Sequence, residues 1–281
     1  GAPGGRWLVT AMRRWDRQDE AIHDTRSFGG TRSRFSDRTV NAPQLGARVR
    51  AAWGFALKAN WSRTSRAPDF DELFGVDGAV TGNPTLVPEH AESWDAGLAW
   101  TGAWAGVRIA AEWAHHRSHA RDLILYERSS PRGARPVNVG AARLFGEEAS
   151  LRASWRGLEL TASTAWLSAT DRSGISFYHG RRLPQRAGRQ AYARLAWRDR
   201  GWSLTTDVEY VGDMVLDRVN FNRTPPRTLV GVAVGRRFGR VTALLEGRNL
   251  GDHLTQDVAG FPLPGRMWLG SLTLDLGSGP P

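Results

Sequence analysis

The feature that most constrains the fold is an alternation of apolar and polar residues with a period of two. One set of alternate positions from residue 202 is largely apolar and holds Trp202, Leu204, Thr206, Val208 and Tyr210, and the set between them is Ser203, Thr205, Asp207 and Glu209. A helix would mix the two sets, whereas an extended strand places them on opposite faces. The same division recurs in segments 53–61, 107–113, 148–155 and 158–166. The pattern predicts an all-β chain of two-faced strands.

About twelve strands are predicted along the chain. They lie near residues 5–17, 43–51, 54–64, 91–101, 105–127, 137–155, 158–170, 188–199, 202–212, 227–238, 240–249 and 266–276. The connections alternate between short turns and loops of roughly nine to twenty-seven residues, which is typical of transmembrane barrels with periplasmic turns and external loops. Placing the short turns in the periplasm leaves the carboxyl end there too. The polar stretch from Ser27 to Asn41 is interpreted as a mobile loop.

Composition excludes a helical membrane protein but allows a transmembrane barrel. The mean hydropathy is −0.42 and 23% of residues are charged, and no run approaches the roughly 20 apolar residues of a spanning helix. Barrel strands keep mean hydropathy low because lipid-facing and lumen-facing residues alternate. Most predicted strands reach the roughly 10 residues that cross an outer membrane, and the fifth and sixth are long enough to project beyond it.

The absence of cysteine excludes disulfides, thiolate metal sites and a cysteine nucleophile. The amino terminus, Gly1-Ala2-Pro3-Gly4-Gly5-Arg6-Trp7, has no charged segment followed by an apolar one, so it does not resemble a signal peptide. We therefore expect the chain to begin inside a longer protein.

The net charge of +10 is almost entirely due to arginine, because Lys58 is the single lysine. Nucleic-acid-binding proteins concentrate basic residues on one helix or patch, whereas these arginines are spread from end to end. Nucleic acid is therefore not an expected partner. A lumen and loops that attract anions are expected instead, and a biased genome composition is a further explanation for the preference of Arg over Lys.

Five sequence segments carry a resemblance to a known family. They are Ser65-Arg66-Ala67-Pro68-Asp69-Phe70-Asp71-Glu72-Leu73-Phe74, Gly82-Asn83-Pro84-Thr85-Leu86-Val87-Pro88-Glu89, Asn138-Val139-Gly140-Ala141-Ala142-Arg143-Leu144-Phe145-Gly146-Glu147-Glu148, Glu246-Gly247-Arg248-Asn249-Leu250-Gly251-Asp252 and Gly260-Phe261-Pro262-Leu263-Pro264-Gly265-Arg266. In this order they resemble the motifs of TonB-dependent outer-membrane receptors, most closely the cobalamin and catecholate-siderophore branch. The motif positions are Arg66, Ala67, Pro68, Asn83, Pro84, Asn249, Leu250, Gly265 and Arg266.

The resemblance implies a location in the bacterial outer membrane and a barrel of about 22 strands closed around a plug. Residues 1–276 would then be the carboxyl-terminal half of the barrel, with unpaired edges near residues 5 and 276, followed by a disordered tail at residues 277–281. The plug, and the segment that binds a TonB-type energy-coupling protein, would lie outside this chain. The implied function is import of a scarce ligand, either a ferric siderophore or a cobalamin-like corrinoid.

Three alternatives remain open at the level of sequence. The strand count of twelve is even, so a small closed barrel is possible. A barrel without a plug would be a passive outer-membrane pore. A surface barrel used for adhesion or as a phage receptor would have similar strands.

Ligand capture is expected in two external loops where aromatic and basic residues coincide. The candidate contacts are Phe177, Tyr178, Arg181, Arg182, Phe221 and Arg223. The competing interpretation is that the aromatic residues belong to the interfacial girdle and that the arginines contact phosphates of lipopolysaccharide. Arg66, Pro68 and Asn83 are interpreted as structural residues at the start of a loop.

No group of residues predicts catalysis, a metal site or a cofactor. Asp69, Asp71 and Glu72 are close enough to suggest paired carboxylates, but they lie in a loop where ordering of backbone amides is the better explanation. His115 and His119 share one strand face while His116 points to the other, which disfavours a common metal site. Residues 69–82 contain no histidine, which argues against haem as the ligand.

Overall fold

Twelve antiparallel strands form one continuous sheet and pair with their neighbours in chain order. The computed structural model describes residues 6–24, 32–76, 80–130, 133–258 and 261–276. The strands are β1 (Trp7–Asp24), β2 (Arg32–Arg50), β3 (Phe55–Arg66), β4 (Glu89–Trp104), β5 (Val107–Ser130), β6 (Gly133–Trp155), β7 (Leu158–Asp171), β8 (Arg189–Asp199), β9 (Trp202–Val211), β10 (Arg227–Phe238), β11 (Val241–Arg248) and β12 (Met267–Leu274). The prediction of an antiparallel sheet of about twelve strands is confirmed.

Short strand pairs and one short helix lie in the connections. The helix α1 (Phe70–Phe74) is too short to show a helical period in the sequence, and a 3₁₀ turn covers Ala52–Gly54. The short pairs are Gly75–Val76 with Val80–Thr81, Met214–Val215 with Arg223–Thr224, and Gln256–Val258 with Phe261–Pro262. None of the helices in the described ranges has the length and apolar content needed to cross a membrane.

The interpretation of Ser27–Asn41 as a mobile loop is wrong for residues 32–41. These residues belong to β2, which pairs with β1 from Asp24↔Arg32 to Trp15↔Asn41 and beyond. A strand that extends past the bilayer has water on both sides, so it needs no apolar face. Its sequence therefore shows no alternation of apolar and polar residues, although its backbone is paired. Residues 27–31 lie outside the described residues, as does the predicted tail at 277–281.

The register separates the strand faces as the alternation predicts. One cross-strand row over β5–β10 is Glu112, Ser150, Ser163, Tyr192, Glu209 and Leu229, and the row on the opposite face is Ala111, Leu151, Ala162, Ala193, Val208 and Val230. The first, largely polar row borders a concavity of about 700 Å³ that loop residues Gln185, Met214 and Asp257 also line. We call the face of the sheet that carries this polar row the inner face. The opposite, apolar outer face is the one suited to lipid.

Two-residue turns join the strands at the end opposite the long loops. In Ala105-Gly106, Arg156-Gly157 and Arg200-Gly201 both residues have positive φ, between 44° and 84°. This conformation matches the twist of the flanking strands and requires glycine at the second position. A Cβ added to Gly157 would lie 2.3 Å from the carbonyl oxygen of Arg198, so the adjacent hairpin also approaches too closely for a side chain.

The sheet is open within the described residues. There β1 pairs only with β2, and β12 pairs only with β11. The closed twelve-stranded barrel allowed by the strand count is therefore not formed. All residues of β12 are exposed, including Leu272 at 80% and Trp268 at 63%.

Two clusters of buried apolar residues lie where the loops fold onto the extended ends of the strands. One cluster joins Ala120, Ala142 and Ala169 of β5–β7 to Leu183 of the following loop, and a second joins Leu73 and Leu86 to Ile124 of β5. These small cores fix the external loops, whereas the middle of each strand remains accessible from the outer face.

Candidate ligand-binding loops

Arg66, at the end of β3, connects the loop of residues 67–88 to two strands. Its guanidinium donates to both carboxylate oxygens of Glu72 in α1, at 2.9 and 3.1 Å, and to both of Glu89 in β4, at 2.9 Å. Glu72 is buried, and Glu89 also accepts the backbone N–H of Ile124 at 2.7 Å. Bidentate arginine–carboxylate pairs are strong and geometrically specific. Arg66 therefore holds this loop in place and has its guanidinium occupied.

The other residues of the first two motifs also make structural contacts. Asn83 is buried; its amide donates to the carbonyl of Pro136 at 2.9 Å, and its oxygen accepts the hydroxyl of Thr85 at 2.7 Å. Pro68 is buried, Ala67 is half-buried and Pro84 is exposed. The loop of residues 67–88 is thereby attached to β6 as well as to β3 and β4.

The last two motifs meet each other in the loop of residues 249–266. The amide of Asn249 donates to the carbonyls of His253 and Pro264 at 3.0 and 3.1 Å, and Asp252 accepts the backbone N–H of Arg266 at 2.8 Å. A Cβ added to Gly265 would lie 2.8 Å from the Asp252 carboxylate. Leu250 donates its N–H to the carbonyl of Val230 at 2.9 Å, which joins the start of this loop to β10.

The two loops predicted to contact ligand are bonded to each other. We call residues 172–188 loop A and residues 212–226 loop B. Asn220 exchanges two hydrogen bonds of 2.9 Å with the backbone of Arg182, whose guanidinium binds Asp213 at 2.6 Å. Arg181 donates to the carbonyl of Val219 at 2.6 Å. Loops A and B therefore form one surface.

Arg218, which the sequence did not single out, lies at the centre of this surface. Its side chain is only 10% exposed; it binds Asp171 at 3.0 Å and Glu127, and it stacks on the ring of Tyr178 at 3.9 Å. Asp171 ends β7 and is 1% exposed. A single guanidinium thus joins loop B to β5, β7 and loop A. Nothing in the local sequence distinguishes it from the other arginines, because its partners come from distant segments.

Asp217 shapes the tip of loop B. Its carboxylate accepts the backbone N–H groups of Phe221 and Asn222 at 2.9 and 2.6 Å. Burial alone would raise the pKa of Asp217, but these amide donors outweigh it and hold the pKa below its ordinary value. The ionised carboxylate therefore stabilises this turn.

The sequence model of the family described as "TonB dependent receptor-like, beta-barrel" matches residues 2–250. The chain belongs to the TonB-dependent receptor family. Members of this barrel family lie in the bacterial outer membrane and are transport receptors, so this chain is assigned to that membrane.

Solved structures share the receptor fold at low sequence identity. The siderophore receptor PiuA from Acinetobacter baumannii has a TM-score of 0.78 and 15% identity, with 96% of this chain and 41% of PiuA covered. The copper transporter OprC has a TM-score of 0.77 and 19% identity, with coverage of 97% and 46%. The ferric citrate transporter FecA has a TM-score of 0.76 and 15% identity, with coverage of 96% and 43%. The chain spans less than half the length of each.

In this TonB-dependent receptor, some of the predicted contact residues are exposed to solvent, and the others are covered by or bonded to neighbouring residues. Phe177 and Phe221 are 58% and 85% exposed, and Arg223 is exposed. Tyr178 is covered by Arg218, and Arg182 is paired with Asp213. Arg181 binds two backbone carbonyls and stacks on Phe177 at 4.9 Å.

The histidines of the receptor's β5 have separate surroundings. His115 lies 3.7 Å from Glu147, and His119 accepts a hydrogen bond from Arg117 at 3.1 Å. His116 packs beneath Gly146 on the other face. Over the ranges that the structure describes, no three His, Cys, Asp or Glu side chains converge in a possible metal site.

Proposed function

We propose that this chain provides the external binding loops and part of the barrel of an energy-coupled importer of an anionic ferric siderophore. The observation that supports this most directly is the combination of exposed aromatic rings and arginines without carboxylate partners on the surface of loops A and B. In the described residues, neither Arg181 nor Arg223 forms an ion pair; Arg181 stacks on the exposed Phe177, and Arg223 lies two positions along the chain from the exposed Phe221.

The chemistry of this surface fits an anionic chelate better than the corrinoid alternative. Apolar anchors beside a few convergent charges fix the orientation of a ligand, and two uncompensated guanidinium groups attract anions from solution. Ferric complexes of aromatic or carboxylate chelators present both properties. The named functions of the similar structures, a siderophore receptor and a ferric citrate transporter, point to the same class.

Release of the ligand to the periplasm would require parts of the receptor outside this chain. We infer that a plug fills the barrel and that a TonB-type protein acts on it. The inner face would then meet the plug, while loops A and B meet the ligand first. The candidate contact residues are Phe177, Tyr178, Arg181, Arg182, Phe221 and Arg223.

Ligand binding to the whole receptor tests this proposal. Replacing Phe177 and Phe221 together by alanine should weaken the affinity for a cognate ferric siderophore about tenfold or more, because aromatic anchors carry much of the binding energy. Arg181→Gln with Arg223→Gln should weaken it and remove most of its salt dependence. The matched control is Phe238→Ala. Phe238 is 61% exposed and lies at the end of β10 that is far from loop B.

Uptake by the native host separates the two ligand classes. A deletion strain should lose uptake of a radiolabelled ferric siderophore and retain uptake of labelled cobalamin. Loss of cobalamin uptake alone would contradict the siderophore assignment. Energy-independent uptake of both labels would indicate the passive pore.

A further inference from the structure

A cluster of basic residues occupies the outer face of β5 and β6. Arg117, His119 and Arg121 are alternate residues of β5 and therefore share one face. Arg143 of β6 stands directly opposite His119 in the register. Opposite residues on one face are about 5 Å apart and diagonal ones roughly 7–8 Å, so the four side chains form one patch, which we call the basic patch.

The height of the basic patch corresponds to the headgroups of the external leaflet. Arg117 lies eleven residues beyond the turn at Gly106. At about 3.3 Å per residue and a tilt of about 45°, that distance corresponds to the roughly 25 Å apolar band of an outer membrane. Trp94 and Phe145 flank Arg117 in the register and are 40% and 46% exposed. These rings mark the membrane interface, and the rest of the basic patch lies just above it.

The positive charge of the basic patch exceeds the negative charge of the nearby carboxylates. Glu92 faces His119 and is close enough to interact electrostatically with Arg121, but it accepts from Trp61 at 3.0 Å and pairs with Arg63 at 3.4 Å. Glu147, the other acidic residue on this part of the face, lies beside His115.

The arginines themselves are left without acidic partners. In the part of the chain that the structure describes, Arg117, Arg121 and Arg143 form no ion pair, and Nε of Arg143 is buried without a hydrogen-bond partner. Like charges at opposite positions of a sheet repel. The arrangement is thus stabilised when an anion occupies it.

We propose that the basic patch binds the phosphate groups of a lipopolysaccharide molecule in the external leaflet. The patch provides guanidinium groups, which suit phosphate because they can bind its oxygens bidentately. Phe145 beside Arg117, and Trp113 and Ala149 below the His115–Glu147 pair, provide an apolar surface for acyl chains. A soluble anion would gain only the first of these contacts, so a phosphorylated lipid is the occupant that the observations favour. This site is separate from loops A and B.

Lipid binding to the purified full-length receptor tests the proposal. The probes are bisphosphorylated lipid A and its enzymatically dephosphorylated form, added in mild detergent and followed by native mass spectrometry. We expect a roughly hundredfold weaker affinity for the phosphorylated form in the triple variant Arg117→Gln, Arg121→Gln and Arg143→Gln. Each basic residue near a charged lipid surface contributes a similar factor to the affinity, and the three factors multiply. The control variant carries Arg156→Gln, Arg236→Gln and Arg240→Gln, the same charge change at the periplasmic end, and should bind within about twofold of the unmodified receptor.

Several outcomes would overturn the proposal. One is equal binding of both lipid forms by the unmodified receptor, a comparison that needs no variant. Another is undiminished binding by the triple glutamine variant when its heat-modifiable gel migration shows a folded barrel. Saturation of the patch by inorganic phosphate without retention of lipid would show that the site is for a soluble anion. If the triple glutamine variant does not fold, the three single glutamine variants replace it, and binding of phosphorylated lipid A by all three that equals binding by the unmodified receptor would likewise overturn the proposal.

Discussion

At the scale of single residues, the stability of the external surface depends on buried charges with defined partners. Arg218 and Asp171 are both largely removed from solvent, and each satisfies the other. Removing one partner of such a pair leaves an uncompensated buried charge, which costs far more than the pair contributes. The geometry of the proposed binding surface of loops A and B therefore depends on a residue that itself has little exposed surface.

Arg218→Met keeps the length of the side chain and removes its charge. We expect it to destabilise the docking of loop B by roughly 3–5 kcal/mol, the cost of breaking a buried ion pair. Limited proteolysis of the folded receptor should then cleave loops A and B much faster. Arg186→Gln, an exposed arginine of loop A, is the control. Adding Asp171→Asn to Arg218→Met should restore part of the protection, and equal cleavage of all variants would contradict the central role of Arg218.

The stability of the turn at Asp217 should depend on pH. Because the pKa of this carboxyl is lower in the folded loop than in the unfolded chain, its contribution is present at neutral pH and is lost as the pH falls below the ordinary aspartate range, about 4. Hydrogen exchange of the Phe221 and Asn222 amides should accelerate there relative to the intrinsic rate. Asp217→Asn should weaken protection at neutral pH and abolish this change, whereas unchanged protection at pH 3 would contradict the assignment.

The sequence could not reveal the residue-level contacts for a definite reason. Asp217 and Arg218 follow a short apolar stretch and look like ordinary polar loop residues. Asp217 accepts from nearby backbone amides that any residue carries, and the partners of Arg218, Asp171 and Glu127, are 47 and 91 positions away. The family motifs were predictable as positions but not as contacts, since Arg66 meets Glu89 through the β3–β4 register and Glu72 through the position of α1. The ligand contacts of Phe177, Phe221 and Arg223 stay predictions.

At the scale of strands and turns, prediction succeeded where one face meets lipid and failed where both meet water. The alternation in β9 identified its two faces correctly, because an apolar solvent on one side imposes a period of two. The upper part of β2 has no such constraint, so its polar sequence predicts a loop although it forms a strand. The turns between closely paired strands carry glycine at a positive φ.

Gly157→Ala tests the geometry of these turns. The new Cβ would approach the carbonyl oxygen of Arg198 at 2.3 Å and would also be strained at a φ of +84°, so we expect a loss of about 2–3 kcal/mol in the free energy of unfolding. Gly239→Ala has a φ of +61° and nothing within 4 Å, and it should cost only about 1 kcal/mol. Urea unfolding followed by tryptophan fluorescence measures both. Equal midpoints for the two variants would show that steric contact is unimportant here.

At the scale of the whole molecule, the sheet has two open edges. The backbone groups along the free sides of β1 and β12 form a template for pairing with another strand, a hazard that closed barrels avoid. Both edge strands also expose large apolar side chains, such as Trp7 and Leu272 at 65% and 80%.

The 281-residue chain refolded alone in detergent should therefore self-associate. We expect dimers and larger species in light scattering at micromolar concentration, with cross-links between cysteines introduced at exposed β1 and β12 positions. The same cysteine pairs placed on β8 and β9 should not cross-link between molecules. A monodisperse monomer over a hundredfold range of concentration would contradict edge pairing.

The lengths of β5 and β6 determine what an approaching macromolecule encounters. These strands have 24 and 23 residues, and about half of each suffices to cross the apolar band. The remainder rises roughly 30 Å above the membrane surface, comparable to the diameter of a small protein domain. An antibody or a phage tail fibre arriving from outside would thus meet this hairpin early, and because Glu127 of the hairpin binds Arg218 of loop B, changes there would also reach the loops proposed to hold the ligand.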